Sequence, residues 1–173
     1  MDAAAERDFR EFVEARSPTL MRVAFLLTGG DQHAAEDLLQ TALVKVAARW
    51  RGVDSPEGYV RRVMYRQQIS WWRLKWHRHE TNVAVPPERA AAEDSTSAAD
   101  LKMTVRQALA RLTPRQRTVL VLRFFEDLPE AEVARLLDCS VGTVRSTTHR
   151  SLARLRAVAP ELAELESPKE ARQ

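Results

Sequence analysis

The stretch that decides the fold is residues 128–156, LPEAEVARLLDCSVGTVRSTTHRSLARLR. Its first part, residues 130–137, repeats apolar side chains close to every 3.6 residues, which predicts an amphipathic helix. After a short break at residues 138–140, Ser140 is a suitable N-cap for a second helix. That helix has no acidic residue and carries the cations Arg145, Arg150, Arg154 and Arg156. Two short helices with a tight turn and a cationic second helix predict a helix-turn-helix, which would place its second helix in the DNA major groove.

A helical hairpin with a solvated basic face remains the alternative interpretation of this stretch. Composition favours helices in either case, because 45% of the 173 residues are hydrophobic and only five are glycine. The net charge is only +3, but it is uneven: residues 55–80 hold six bases and two acids, whereas residues 1–50 hold eight acids and six bases. Such asymmetry suits a protein with one surface for phosphates and another for a protein partner.

The single cysteine, Cys139, excludes an internal disulfide and fits a reducing cytoplasm. No apolar run is long enough to insert into a membrane, and the first residues do not form a signal peptide. We therefore expect a cytoplasmic protein. The four histidines (His33, His77, His79 and His149) lack the spacing of a metal site, and no phosphate loop or nucleophile motif is present. We expect no metal, no cofactor and no catalytic residue.

The first half of the chain predicts three helices, over residues 5–27, 33–50 and 56–79. The second has a wide apolar stripe, and its opposite face shows Asp37, Gln40, Thr41, Val44 and Lys45. This mixed polar and aliphatic face could dock a partner or could simply be solvated.

The third helix interleaves cations with aromatic rings, among them three tryptophans within six residues. We expect an outward surface that holds unstacked or melted strands, because cations follow phosphates and rings stack on bases. In the alternative, Trp71 and Trp76 belong to the core and only the arginines meet solvent. The outward residues are Arg61, Arg62, Tyr65, Arg66, Trp72 and Arg73.

Residues 81–100 have no sustained apolar period and predict a flexible linker. We therefore expect an all-α protein of two small helical domains, residues 5–80 and 101–160, each with its own core. In the second domain, Thr113 and Gln116 form a predicted capping box with proline between them, and Phe124 is predicted to lie in the core.

Four stretches of the sequence resemble a known protein family. The sequence is similar to bacterial sigma factors of the sigma-70 family, in the small extracytoplasmic-function (ECF) group, and looks closest to its actinobacterial SigE-like branch. HAAEDLLQTALVKVAARW resembles region 2.2, and SPEGYVRRVMYRQQISWWRLKWHR resembles regions 2.3 and 2.4. LARLTPRQRTVLVLRFFEDL resembles region 4.1, and residues 128–156 resemble region 4.2. The fold implied is a region 2-like bundle and a region 4-like helix-turn-helix.

The resemblance implies roles for the surfaces described above. Residues that would bind core RNA polymerase are Asp37, Gln40, Thr41 and Val44, with Thr41 where many relatives have Glu. The outward cations and rings of the third helix would melt and bind the −10 element. The residues that would contact the −35 element are Thr143, Arg145, Ser146, Thr147, His149 and Arg150. Thr147 and Thr148 replace a frequent Arg-Leu, so we expect a different −35 preference.

The implied partners are core RNA polymerase, through its β′ clamp helices and β flap, promoter DNA in duplex and melted form, and an anti-sigma factor. The resemblance implies a protein restrained by that anti-sigma partner rather than by an arm of its own, and nucleoid-associated in the holoenzyme. It implies no enzyme activity, because catalysis belongs to the polymerase. Two other functions stay open: a stand-alone helix-turn-helix regulator, and an adaptor whose basic helices bind an acidic protein.

Overall fold

The computed structural model describes residues 2–78 and 97–160, and the side chains of residues 2–71 and 103–160. The described residues form helices and no strands, which confirms the all-α prediction. A 3₁₀ turn lies at Trp50–Gly52 and a π-helical turn at Val121–Phe125. The helices are α1 (Ala3–Leu27), α2 (Gln32–Ala47), α3 (Pro56–Arg78), α4 (Ser97–Ala110), α5 (Pro114–Leu120), α6 (Glu130–Leu137) and α7 (Val141–Val158).

Polar caps fix where several of these helices begin. The Asp31 carboxylate accepts a hydrogen bond from the Ala34 amide at 3.0 Å and so caps α2. At α5 the capping box is complete: the Gln116 amide donates to the Thr113 hydroxyl at 3.2 Å, and the Thr113 amide donates to the Gln116 side chain at 3.1 Å. This confirms the predicted capping box.

Helix α4 begins at Ser97, so it takes in the last four residues of the predicted linker, 97–100. The last residues of the predicted linker are therefore helical, and residues 81–96 lie outside the described residues. Phe124 was predicted to be core, but its side chain is 60% exposed. Phe124 lies inside the π-helical turn, where the wider helical repeat turns its side chain away from the apolar face of α5.

The two predicted sets of helices are both present, and they share one core rather than forming two separate ones. The largest cluster of buried side chains joins Leu20, Leu27 and Met64 of α1 and α3 to Leu122 and Val133 of the second half. All five are completely buried. A smaller cluster of Leu109, Leu112 and Leu120 packs α4 against α5. Helices α1 and α3 therefore gain part of their packing from α5 and α6.

Arg117 of α5 is buried among backbone carbonyls, with only 6% of its surface exposed. Its guanidinium donates to the carbonyls of Leu109 at 2.9 Å and Leu112 at 3.0 Å, just where α4 ends. Its third hydrogen bond, at 2.9 Å, goes to the carbonyl of Leu27, the last residue of α1. Burial lowers the pKa of Arg117 to about 10, because the charged form loses hydration. These bonds join the two halves of the chain.

Gly29 makes room for this contact. Its φ is +72°, and a Cβ atom placed there would lie 2.7 Å from the Arg117 guanidinium carbon. A side chain at this position would therefore be strained by the left-handed backbone and would also collide with the guanidinium.

We expect Arg117→Met to lower the free energy of unfolding by about 2–4 kcal/mol, because three carbonyls each lose a hydrogen bond from a buried guanidinium. Urea denaturation followed by circular dichroism measures this change. The control is Arg115→Met, the same substitution at a half-buried position on the same helix. A loss for Arg117→Met no larger than that of the control would contradict this role.

Candidate functional site

The helix-turn-helix predicted at residues 128–156 is present. Its first helix, α6, spans the predicted residues 130–137. Helix α6 ends at Asp138, whose φ of 51° is left-handed and turns the chain sharply. The Ser140 hydroxyl then caps α7 by accepting a hydrogen bond from the Thr143 amide at 3.0 Å. Val133 and Val144 are completely buried and hold the two helices together. The turn and this packing fix the direction of α7.

One face of α7 is open to solvent and cationic. Arg145, Ser146, His149 and Arg150 are all exposed there, as the predicted −35 surface requires. The Arg145 guanidinium bonds the Glu130 carboxylate of α6 at 2.9 Å, and this hydrogen bond holds the pKa of Glu130 below its usual range. An exposed ion pair of this kind is weak, so Arg145 can exchange the carboxylate for another acceptor.

The structure corrects the prediction for Thr147, which is 5% exposed and lies with Val144 and Ser151 on the inner face of α7. Residues three and four apart share a helix face, so Thr147 follows Val144 into the core. Thr148 is half-buried and donates its hydroxyl hydrogen bond to the Val144 carbonyl at 2.9 Å. Thr143 remains at the start of α7, where its hydroxyl lies 2.9 Å from that of Ser140.

The predicted −10 residues of α3 separate onto two faces. Arg62 and Arg66 are exposed, as expected. Arg61 is half-buried between two carboxylates, those of Glu57 at 2.8 Å and of Glu126 from the second half. Trp72 and Arg73 belong to α3, but the structure describes only their backbone.

Tyr65 was predicted to face outward, but it is only 3% exposed. It lies one turn after Arg61, on the face of α3 that packs against α5 and α6. Burial raises the pKa of its hydroxyl, and the nearby charge of Glu126 raises it further. Among the described residues this hydroxyl has no hydrogen-bond partner.

A second cationic feature was missed from the sequence. Arg49, Arg51 and Arg62 line an open groove between the end of α2 and the start of α3. Trp50 anchors one wall by packing on Phe9, with ring centroids 5.1 Å apart. The sequence signal for this groove is the tryptophan at the predicted end of the second helix, which stands between Arg49 and Arg51.

The face of α2 that was predicted to point outward is accessible to solvent. Asp37, Gln40 and Val44 are exposed, and Thr41 is half-buried. Val44 is 63% exposed, which is unusual for a large aliphatic side chain in this protein. Beside it runs an apolar groove between α1 and α2, which the sequence analysis did not predict. Its apolar lining includes Phe9, Val13, Met21, Leu39, Leu43 and Ala47.

The described part of the chain contains no group of three His, Cys, Asp or Glu side chains placed to hold a metal ion. None of its helices is long and apolar enough to cross a membrane.

Comparison with known proteins identifies both halves of the chain. Residues 12–78 match the sigma-70 region 2 family, and residues 102–155 match sigma-70 region 4. The RNA polymerase sigma-E factor of Streptomyces avermitilis is 40% identical over 152 residues, which cover 86% of this chain and 83% of that protein. The ECF RNA polymerase sigma factor SigE of Mycolicibacterium smegmatis is 30% identical over 169 residues, covering 90% of this chain and 63% of that protein.

Among solved structures, the fold is similar to that of the sigma factor RpoE of Bartonella quintana, crystallised with the anti-sigma factor NepR. The TM-score is 0.64 and the identity 22%, over 88% of this chain and 96% of that one. This likeness concerns the fold alone. The two family matches and the sigma-E relatives show that the chain belongs to the sigma-70 family of RNA polymerase sigma factors, in its extracytoplasmic-function group.

Proposed function

We propose that this chain binds core RNA polymerase and directs it to promoters, with region 4 (residues 101–160) on the −35 element and region 2 (residues 5–80) on the −10 element. The observation that carries the proposal is the exposed cationic face of α7, held by a capped turn within a sigma-70 chain. The protein acts in the cytoplasm, and it associates with the nucleoid when it is part of the holoenzyme. It supplies recognition and strand opening and leaves catalysis to the polymerase.

At the −35 element, α7 lies in the major groove. An arginine there can bond guanine O6 and N7 with both guanidinium nitrogens. Arg145 is suited to this role because its present partner, the Glu130 carboxylate, is solvent-accessible and can be replaced by a base edge. Thr143 at the helix N-terminus is placed for a phosphate, since backbone amides there favour anions. Ser146, His149 and Arg150 complete the surface.

At the −10 element, Arg62 and Arg66 follow the phosphate backbone along the exposed side of α3. We assign Trp72 and Arg73, further along α3, to the same surface, whereas Arg61 and Tyr65 lie on the face of α3 that packs against the second half. A melted strand needs such a combination, because cations bind its phosphates and rings replace the lost base stacking.

The polymerase-binding surface is the outward face of α2. Asp37, Gln40, Thr41 and Val44 contact the β′ clamp helices, and the adjoining apolar groove extends the contact. Exposed apolar surface rimmed by polar residues is typical of a protein interface. In region 4, Phe124 and Phe125 are 60% and 50% exposed and offer an apolar contact to the β flap. We also propose an anti-sigma factor as a partner of this chain, because the structurally similar RpoE was crystallised with one.

Reconstituted transcription tests the function itself. Core polymerase with this chain should initiate at discrete sites in a genomic promoter library, and core polymerase alone should not. Sequencing the transcript starts measures this. A stand-alone regulator would bind DNA yet give no starts, and that result at every promoter would overturn the proposal.

We expect Asp37→Arg combined with Gln40→Ala to weaken core polymerase binding by at least tenfold, because it reverses one charge and removes one amide at the docking face. Duplex binding by the full chain should change less than twofold. Fluorescence anisotropy with labelled core polymerase and with labelled duplex measures both. Equal losses in both assays would mean that the surface is misassigned.

Arg145→Ala should cost roughly 1–3 kcal/mol of −35 duplex affinity or change the preferred base, because a bidentate contact is lost. Thr147→Val tests whether Thr147 belongs to the packed face of α7 and not to its DNA-binding face, since its side chain is buried. It should leave base preference unchanged in a selection from a randomised −35 library. A changed preference in Thr147→Val, or none in Arg145→Ala, would contradict the assignment.

A further inference from the structure

We propose that Glu130 of α6 is a positioning residue for the base-reading arginine of α7. It holds the guanidinium of Arg145 by one edge and leaves another edge free to bind a guanine. This inference rests on the proposed function of α7 at the −35 element. A base edge can replace the carboxylate of Glu130 or can bind beside it, and the geometry favours the second arrangement.

One carboxylate oxygen occupies one edge of the guanidinium. The Nε and Nη2 atoms of Arg145 both donate to Oε2 of Glu130, at 3.3 and 2.9 Å. A guanidinium carries five N–H groups in a rigid plane, so two neighbouring edges can each present a pair of parallel donors. The edge formed by Nε and Nη2 is occupied here. The edge formed by Nη1 and the second hydrogen of Nη2 is not used by Glu130.

This second edge of Arg145 fits a guanine. In the major groove, guanine presents two acceptors, O6 and N7, which an arginine binds with two parallel donors. Nη1 and Nη2 supply that pair while Glu130 stays in place. Adenine presents its N7 acceptor beside its N6 donor, so the same edge would meet a donor there. A guanidinium held in this orientation therefore distinguishes the two purines.

The backbone of both residues is held rigidly. Glu130 is the first residue of α6, and Arg145 lies near the start of α7. The capped turn at Ser140 and the buried side chains of Val133 and Val144 keep the two helices in one orientation. The ion pair therefore fixes a long side chain relative to a rigid frame. In water an exposed pair is weak, but DNA that covers it excludes water and strengthens the attraction between the two charges.

A second cation helps to keep the carboxylate of Glu130 in place. Arg123 of the π-helical turn donates to the Leu128 carbonyl, just before α6 begins. The hydrogen bond from Arg145 is the main cause of the lowered pKa of Glu130, and the charge of Arg123 lowers it further. The Glu130 side chain is 28% exposed and that of Arg145 71%, so the arginine is the more accessible partner for DNA.

Holding Arg145 in place raises the preference for one base. Ordering a long side chain on binding reduces affinity by about two- to tenfold, and this cost falls only on sites where Arg145 bonds a base. Glu130 removes part of that cost before DNA binds. It also neutralises the charge of Arg145, which weakens the attraction for phosphates of any sequence. Both effects favour base reading over phosphate binding.

The first test uses holoenzyme made from core polymerase and the full chain, on barcoded promoters randomised at the −35 element. Sequencing the transcripts gives the enrichment of each base at each position. Glu130→Ala should lower the enrichment of guanine by about two- to tenfold, at the same position that Arg145→Ala affects. Glu130→Gln should keep most of the enrichment, because its amide oxygen can still accept from Nε and Nη2 of Arg145.

The matched control is Glu132→Ala. Glu132 shares the first turn of α6 with Glu130 but not the bond to Arg145. Both substitutions remove one negative charge near the positive end of the helix dipole, so any loss of α6 stability should be similar in the two variants. Thermal unfolding followed by circular dichroism checks this. Base enrichment in Glu132→Ala should match that of the wild type.

The second test measures the affinity of the full chain for a labelled duplex of arbitrary sequence at several salt concentrations. In Glu130→Ala, the freed Arg145 can neutralise one more phosphate. The slope of log affinity against log salt should therefore become more negative by about 0.9. Glu132→Ala should change this slope by less than half as much.

Unchanged guanine enrichment in Glu130→Ala, with altered enrichment in Arg145→Ala, would overturn the inference and leave the proposed function of α7 standing. Equal effects of Glu130→Ala and Glu132→Ala would also overturn it, because the acid would then act through its charge alone. So would a loss in Glu130→Gln as large as that in Glu130→Ala. An Arg145→Ala variant with unaltered base enrichment would instead overturn the proposed role of Arg145, and this inference with it.

Discussion

The buried guanidinium of Arg117 is the contact on which the arrangement of the whole chain depends. It is a cation without a buried carboxylate beside it, and three carbonyl oxygens take the place of its hydration. Two of these close the end of α4 and one closes the end of α1. Because an unpartnered buried charge is costly, Arg117 can stay buried only while these carbonyls remain around it. The local fold of region 4 and its attachment to region 2 thus share one side chain.

The shared core has a consequence for how the protein meets DNA. Helix α7 keeps its cationic face in solvent, since its inner face already packs on α5 and α6. Helix α3 divides its cations between two sides, with Arg62 and Arg66 open and Arg61 bound to Glu126. Of the α3 residues predicted to bind the −10 element, Arg61 thus lies at the contact with region 4, and Arg62 and Arg66 lie on the open side.

Local features of this fold could be predicted from the sequence, because they depend on neighbouring residues. The caps at Thr113 and Ser140 and the extent of α6 are of this kind, and so is the exposure of Arg145. The misses at Tyr65 and Thr147 have another cause. Helical spacing places Tyr65 beside Arg61, but only the distant Glu126 and α5 make that face an interior one. Thr147 is polar in sequence yet follows Val144 onto the packed face, and Phe124 is displaced by the π-helical turn.

The surfaces that we propose for polymerase and DNA lie on a chain whose two halves share one packed core, and Tyr65 of α3 is buried in that core. Hydroxyl-radical footprinting of Tyr65 tests this most directly. The ring should be protected from labelling in the free protein, because the second half of the chain packs over it. A ring that reacts in the folded free protein as readily as in the urea-unfolded chain would contradict the shared core.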